Sequence, residues 1–195
     1  MDAAIILMDK MKNKIGIGLI LLILFIALSS KVWAQEPRIV DILITNDVEN
    51  VLLYARLVNG FKPEMELAVL AGIPTIFTMS LEVYEQKSLL WDKKITKKEI
   101  KRTIKYDNLK KSFSVSTNNA DPVIFSDFES AQKGMSDFNG IMAIPMSSLL
   151  KGRNYYVMIK IKMDKVRLPL RMEYVFPFVS LWDFETLWYK QNFTY

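Results

Sequence analysis

The chain has 195 residues, a formal net charge of +5, no cysteine and no histidine. Absent cysteine excludes disulfides, thiol nucleophiles and a lipidated N-terminal cysteine; absent histidine excludes an imidazole base, an imidazole metal ligand and a histidine pH switch. The charge excess is too slight to point to nucleic acid, and no glycine-rich phosphate loop or dinucleotide fingerprint occurs, so no cofactor is expected.

Residues 1–34 read as a secretory signal peptide. Lys10, Lys12 and Lys14 form a basic n-region, Ile15 to Leu28 run without a charge, and Val32-Trp33-Ala34 offers a cleavage site between Ala34 and Gln35. The competing reading is an uncleaved inner-membrane anchor. As a helix, Ile15–Leu28 reaches only ~21 Å, short of the ~30 Å hydrocarbon core, and Asp9 to Lys14 interrupts any extension. Met8 and Met11 are alternative initiators. No twin arginine is present, so export by the general secretion route to the periplasm is expected. Removing the segment's four lysines and two aspartates leaves a net +3 on the part from Gln35 to Tyr195, read as one domain.

That domain reads mainly as strands. Val40, Ile42 and Ile44 alternate with Asp41 and Thr45, and Val51 to Val58 is a near-continuous apolar run ended by Asn59-Gly60. A short helix is predicted over Pro63–Ala71, with proline at its start and Gly72 and Pro74 after it; its scarcity of polar positions marks it as a buried plug or corner piece. Phe77, Met79, Leu81 and Val83 then alternate with Thr78, Ser80 and Glu82. Ile104 and Tyr106 suggest a further strand that continues through Phe113 and Val115 after a kink at Asp107-Asn108. A second helix is predicted from the box Ser126-Asp127-Phe128-Glu129, with Ser126 as cap and Phe128, Ala131 and Met135 inward. Tyr155, Val157, Ile159, Ile161 and Met163 line a long strand, and Leu170, Met172, Tyr174 and Phe176 repeat the pattern. Seven or more strands, most with one polar face, indicate an antiparallel β-sandwich or open barrel with two short helices.

Catalytic constellations are sparse. Serine–histidine and cysteine–histidine sites are impossible; a carboxylate-only hydrolase survives in principle, but Asp41, Asp47 and Glu49 read as solvating a strand face and a turn. The densest charge lies in Lys93 to Lys111, where Lys93, Lys94, Lys97, Lys98, Lys101, Arg102 and Lys105 lead a run opposed by Glu99 and Asp107. One reading is a patch for an anionic partner, an acidic envelope protein or a membrane surface. The other is a solvated hairpin arm whose lysines blunt an exposed edge. Aromatics crowd the end of the chain. Core packing accounts for Trp182 and Trp188, while Phe193 and Tyr195 are candidates for an aromatic partner surface.

Several strings fall in a telling order behind the signal segment: Ala71-Gly72-Ile73-Pro74 before Phe77, Trp91-Asp92, Lys105-Tyr106-Asp107-Asn108-Leu109 with Phe113-Ser114-Val115, Leu168-Pro169-Leu170, and Trp182 with Trp188. Together they resemble a proteobacterial family of exported proteins, domain-of-unknown-function family 4390, over about residues 38–190. The chain departs from that pattern at Asp107, where a basic residue is expected, and lacks a second proline after Leu170. The resemblance implies a periplasmic address and supplies no catalytic residue. The expected function is non-catalytic binding of an envelope protein or membrane-associated partner. The alternative is a carrier of a lipid or other apolar ligand, with the first helix closing a cavity between sheets.

Overall fold

A computed structural model describes residues 36–89, 91–164 and 183–195. The signal segment 1–34, the cleavage pair Ala34 and Gln35, the strand predicted at Leu170–Phe176, and Trp182 lie outside the described residues.

Among the described residues the fold is mainly β: two antiparallel sheets of three and six strands, with two short α-helices. The small sheet has the order β1 (Arg38–Asn46), β2 (Asn50–Val58), β7 (Asp137–Pro145). The large one runs β6 (Val123–Phe125), β5 (Ser112–Thr117), β4 (Lys93–Asp107), β3 (Thr75–Glu85), β8 (Asn154–Met163), β9 (Tyr189–Thr194). Between β2 and β3 lies α1 (Glu64–Leu70), and between β6 and β7 lies α2 (Phe128–Ser136).

Period-two alternation builds the core. Phe77, Met79, Leu81 and Val83 of β3 are fully buried, flanked in register by Ile100 of β4 and by Val157, Ile159, Ile161 and Met163 of β8. From the small sheet come Val51, Leu53, Ala55 and Leu57 of β2 with Phe138 and Ile144 of β7. Burying each such side chain contributes ~1.5–3 kcal/mol. An aromatic cluster fills the end near the helices: Phe61 packs on Phe77 at 4.9 Å and on Phe128 at 5.8 Å, and Phe113 on Phe128 at 5.6 Å.

Aspartates reverse the chain. Asp47 accepts hydrogen bonds from the Glu49 and Asn50 amides (2.8 and 2.6 Å) in the β1–β2 turn. Asp107 accepts from Leu109 and Lys110 (2.9 and 3.0 Å) in the β4–β5 turn. These are side chains mimicking a backbone turn. The turn corrects one expectation: Asp107-Asn108 is no kink within a strand but a full reversal, with Asp107 opposite Ser112. Local hydrogen bonding overrode the apolar periodicity that joined the two strands.

Two more expectations shift. In β1 the register breaks between Val40 and Leu43, with Asp41 at φ 53°, so Ile39 faces the core before the bulge and Ile42 and Ile44 pack against it after. Val40 therefore leaves the stripe it was assigned to. Arg56 holds the bulge, bonding Asp41 at 2.9 Å and Asp137 of β7 at 3.3 Å. In α2 the cap is Asp127, whose carboxylate accepts from the Ser130 amide at 2.8 Å; the Ser126 hydroxyl only supports that carboxylate at 3.1 Å. Ala131 and Met135 are buried as expected, Phe128 partly so.

The first helix buries Met65, Ala68 and Val69 and exposes Leu67, so it is a corner piece packed against the core. Gly72 ends it at φ 86°, with the Gly72 amide bonded to the Val69 carbonyl and the Ile73 amide to the Ala68 carbonyl. This pair of bonds defines a Schellman cap, and its left-handed residue favours glycine.

Candidate functional site

The basic run sorts by parity along β4. Pairing with β3 sets Lys97 opposite Glu82, Glu99 opposite Ser80 and Lys101 opposite Thr78, on the face turned away from the core; Lys94 joins them opposite Tyr84 after a register break, and Lys105 stands opposite Ser114 of β5. Lys93, Lys94, Lys97, Lys101 and Lys105 are all exposed. Lys94 and Lys97 share Glu82 at 2.9 and 3.9 Å. Among the described residues no carboxylate lies within ion-pair distance of Lys101 or Lys105.

Two members of the predicted patch are not on that face. Arg102 is opposite Phe77, on the core side, and buried. Its Nη1 donates to the carbonyls of Gly134 and Asp137 (2.6 Å each) and more weakly to Met135 (3.4 Å), and its guanidinium lies 4.3 Å from the Phe138 ring centre. These carbonyls close the C-terminal end of α2, where helix carbonyls lack internal partners and a cation is favoured. Burial pushes the Arg102 guanidinium down to about 10, against an opposing pull from Asp137. Lys98, also on the inner side, reaches across to the Met142 carbonyl of β7 at 3.2 Å, and burial lowers its pKa. Both are structural bonds between elements, so the anion-facing set contracts to the exposed lysines. Ile100 and Ile104 between them are buried.

A row of aromatic and cationic side chains crosses four strands beside this face. Lys94 stands over Tyr84 (5.3 Å), Tyr84 stacks on Tyr156 (5.0 Å, 11°), and Lys190 of β9 lies over Tyr156 (3.7 Å). The Tyr84 hydroxyl donates to Glu82 at 2.6 Å and that of Tyr156 to Asp92 at 2.9 Å. For Glu82, burial works to raise the pKa, but the Tyr84 and Lys94 donors prevail and the net shift is downward. Burial, then the bond to Asp92, pushes the Tyr156 phenol up to about 12. The row is held together by these ring contacts and hydrogen bonds and meets the lysine face at Lys94.

The aromatic prediction at the chain end is revised. Phe193 and Tyr195 are half-buried and pack against the core, with Phe193 stacked on Tyr155 at 5.5 Å. They close a cleft of about 120 Å³ against Ile44, Val51 and Met146. The exposed indoles are elsewhere. Trp188 is 40% exposed beneath Lys160, 4.9 Å away, so packing in the core is not its role. Trp91, in the β3–β4 loop, is 95% exposed. The apolar string around Trp91 between two polar strand ends was the available signal for it.

Among the described residues two clefts gather carboxylates. In one, of about 530 Å³, Asp164 and Glu185 are paired with Lys162 and Lys160 and stand with Asp183. In the other, about 600 Å³ lies open between the starts of the two helices, lined by Phe61, Lys62, Glu66, Asp127, Phe128 and Glu129 among others. Asp127 is committed to the Ser130 amide, and Glu66 and Glu129 stand exposed to solvent. No group of three or more acidic ligands suited to a metal ion occurs among the described residues. No helix among them is long and apolar enough to cross a membrane.

Residues 34–192 match the family described as Domain of unknown function (DUF4390). The chain belongs to this family. The match spans both sheets of the DUF4390 domain described above, including the lysine face and the exposed loop at Trp91. No curated protein and no solved structure matches the chain.

Proposed function

We propose that this DUF4390 protein is exported to the periplasm, is cleaved before Gln35, and works there as a non-catalytic binding domain. The lysine face of the six-stranded sheet holds an acidic envelope partner. One observation carries this reading: Lys94, Lys97, Lys101 and Lys105 share one exposed face of β4, and among the described residues Lys101 and Lys105 have no carboxylate partner. β5 pairs with β4 only over Arg102–Asp107, and Asn118 bonds the Lys101 backbone, so Lys101 and Lys105 do not sit on a free edge. Lys94 and Lys97, in contrast, lie where β4 pairs with β3 alone among the described strands and are placed to blunt an edge. Clustered like charge on a surface steers an oppositely charged partner.

The test uses poly-L-glutamate as a defined acidic probe. Binding is expected to fall steeply with added salt and to be lost in the Lys97→Glu, Lys101→Glu, Lys105→Glu triple variant. An equal change of net charge at Lys133, Lys151 and Arg153 leaves it largely intact. Equal loss in both variants reduces the interaction to net charge and refutes a specific face. Export is tested separately by the intact mass of the protein from the envelope fraction, where a chain beginning at Gln35 is expected and one retaining Met1, Met8 or Met11 contradicts cleavage.

A further inference from the structure

The end of the sheet where β3 passes into β4 carries apolar side chains that the fold does not use. Leu89 and Trp91 are each 95% exposed, and Leu150, in the loop before β8, is 61% exposed. The two loops are tied together. The Gln86 amide donates to the Asn154 carbonyl at 2.9 Å, and the Leu150 amide donates to the hydroxyl of Tyr155 at 2.8 Å, with Tyr155 opposite Glu85 in register. Leu89, Trp91 and Leu150 therefore belong to one end of the molecule.

Charge at this end has a definite pattern. Lys93, Lys151 and Arg153 are exposed. The neighbouring acids face inward to local donors: Glu85 pairs with Lys87 at 2.6 Å, and Asp92 accepts from the Lys87 amide and the Tyr156 hydroxyl. Val48, on the β1–β2 turn, is also 95% exposed but is bracketed by Asp47 and Glu49, which an anionic surface repels, so it lies outside the footprint.

A tryptophan and two leucines on loop tips, ringed by cations, match the chemistry of the lipid interface. Indole favours the headgroup level, leucine the acyl boundary, and lysine and arginine the phosphates. A protein partner would need a pocket shaped to each protruding side chain, whereas a bilayer yields to them. We propose that this end docks on an anionic phospholipid surface, with Leu89, Trp91 and Leu150 entering the interface and Lys93, Lys151 and Arg153 pairing with headgroup phosphates. This surface adjoins the lysine face at Lys93 and Lys94 but uses different side chains from Lys97, Lys101 and Lys105, so the domain would hold its partner beside a membrane.

The absence of cysteine makes the test clean. In the full chain, Leu89→Cys and, separately, Leu109→Cys each give a unique site for an environment-sensitive fluorophore. Leu109 is 96% exposed beside Lys110 and Lys111 on the opposite, β4–β5 turn and serves as a stringent control. Vesicles contain phosphatidylcholine with or without phosphatidylglycerol, plus a nitroxide lipid as quencher. Because Ile15–Leu28 is itself apolar, vesicle binding alone decides nothing; the label's surroundings do. On anionic vesicles the position-89 label is expected to be quenched at least ~2-fold and the position-109 label hardly at all, with the effect on neutral vesicles weakened ~10-fold. Adding Trp91→Ser and Leu150→Ser removes the quenching at 89. Equal quenching at both positions, no quenching at 89, indifference to phosphatidylglycerol, or no vesicle binding overturns the proposal. Reversing Lys97, Lys101 and Lys105 leaves the label at 89 quenched in the vesicle-bound fraction, so either surface can fail without the other.

Discussion

Arg102→Met removes a buried guanidinium while keeping most of the apolar stem. In the native protein its Nη1 lies 2.6 Å from the carbonyls of Gly134 and Asp137. Methionine leaves both part-buried acceptors without their donor, at about 1–2 kcal/mol each. Against this stands relief of the cost of burying the cation, the same cost that lowers its pKa to about 10. The balance is a loss of about 1–3 kcal/mol, a substantial share of the ~5–15 kcal/mol that a domain of this kind has in total. Urea unfolding followed by circular dichroism measures it: at ~1–3 kcal/mol per molar denaturant, the midpoint drops by about 1 M with unchanged slope. Lys101→Met, on the exposed face of the same strand, is the control and stays within about 0.5 kcal/mol. A change below about 0.5 kcal/mol for Arg102→Met refutes the assignment of Arg102 as the clasp on α2, and restores it to the surface set.

Other predictions follow from local chemistry. Asp127→Ala is expected to cost about 1 kcal/mol and Ser126→Ala much less; the reverse order in urea unfolding would return the cap to serine. Gly72→Ala, at φ 86° with open space around it, costs about 1 kcal/mol from backbone strain alone, and an unchanged midpoint contradicts the Schellman cap. Backbone amides hold the Asp47, Asp107 and Asp127 carboxyls below their ordinary 3.8. Folded pKa values below the unfolded ones place their stabilisation above pH 3.8, to be lost as pH falls through the folded values. Between about pH 6 and 8, with no imidazole to titrate, stability stays level; a slope there contradicts this. Tyr156 has the opposite sign: its stabilisation is present below the ordinary 10 and fades as pH rises through about 12. A phenolate absorbance titration should show this late ionisation, and Tyr156→Phe should remove it.

The sequence made the strands of the core legible because one face of each is buried: alternation found Phe77–Val83 and Tyr155–Met163 with correct facing. It also marked α1 and α2 through proline, glycine and acidic signals. What it missed depended on contacts distant in sequence. Parity along β4 already separated Lys97, Lys101 and Lys105 from Lys98 and Arg102, but the helix end awaiting Arg102 lies some thirty residues on, at Gly134 to Asp137. The β1 bulge and the Asp107 reversal rest on single residues that tolerate a turn, which periodicity averages away. β9 was hidden because Tyr189–Thr194 carries mostly polar residues on a strand that, among the described residues, pairs with β8 alone. Phe193 and Tyr195 seemed free by their position at the chain end, but pairing with β8 draws them inward.

The most direct measurement of the central claim is photo-crosslinking in living cells from position 101 on the lysine face. A discrete adduct is predicted with an acidic envelope protein, lost when Lys97→Glu and Lys105→Glu are added and absent when the probe is moved to position 52 on the small sheet. An adduct equally strong from both positions, or one indifferent to the charge reversals, would contradict the account.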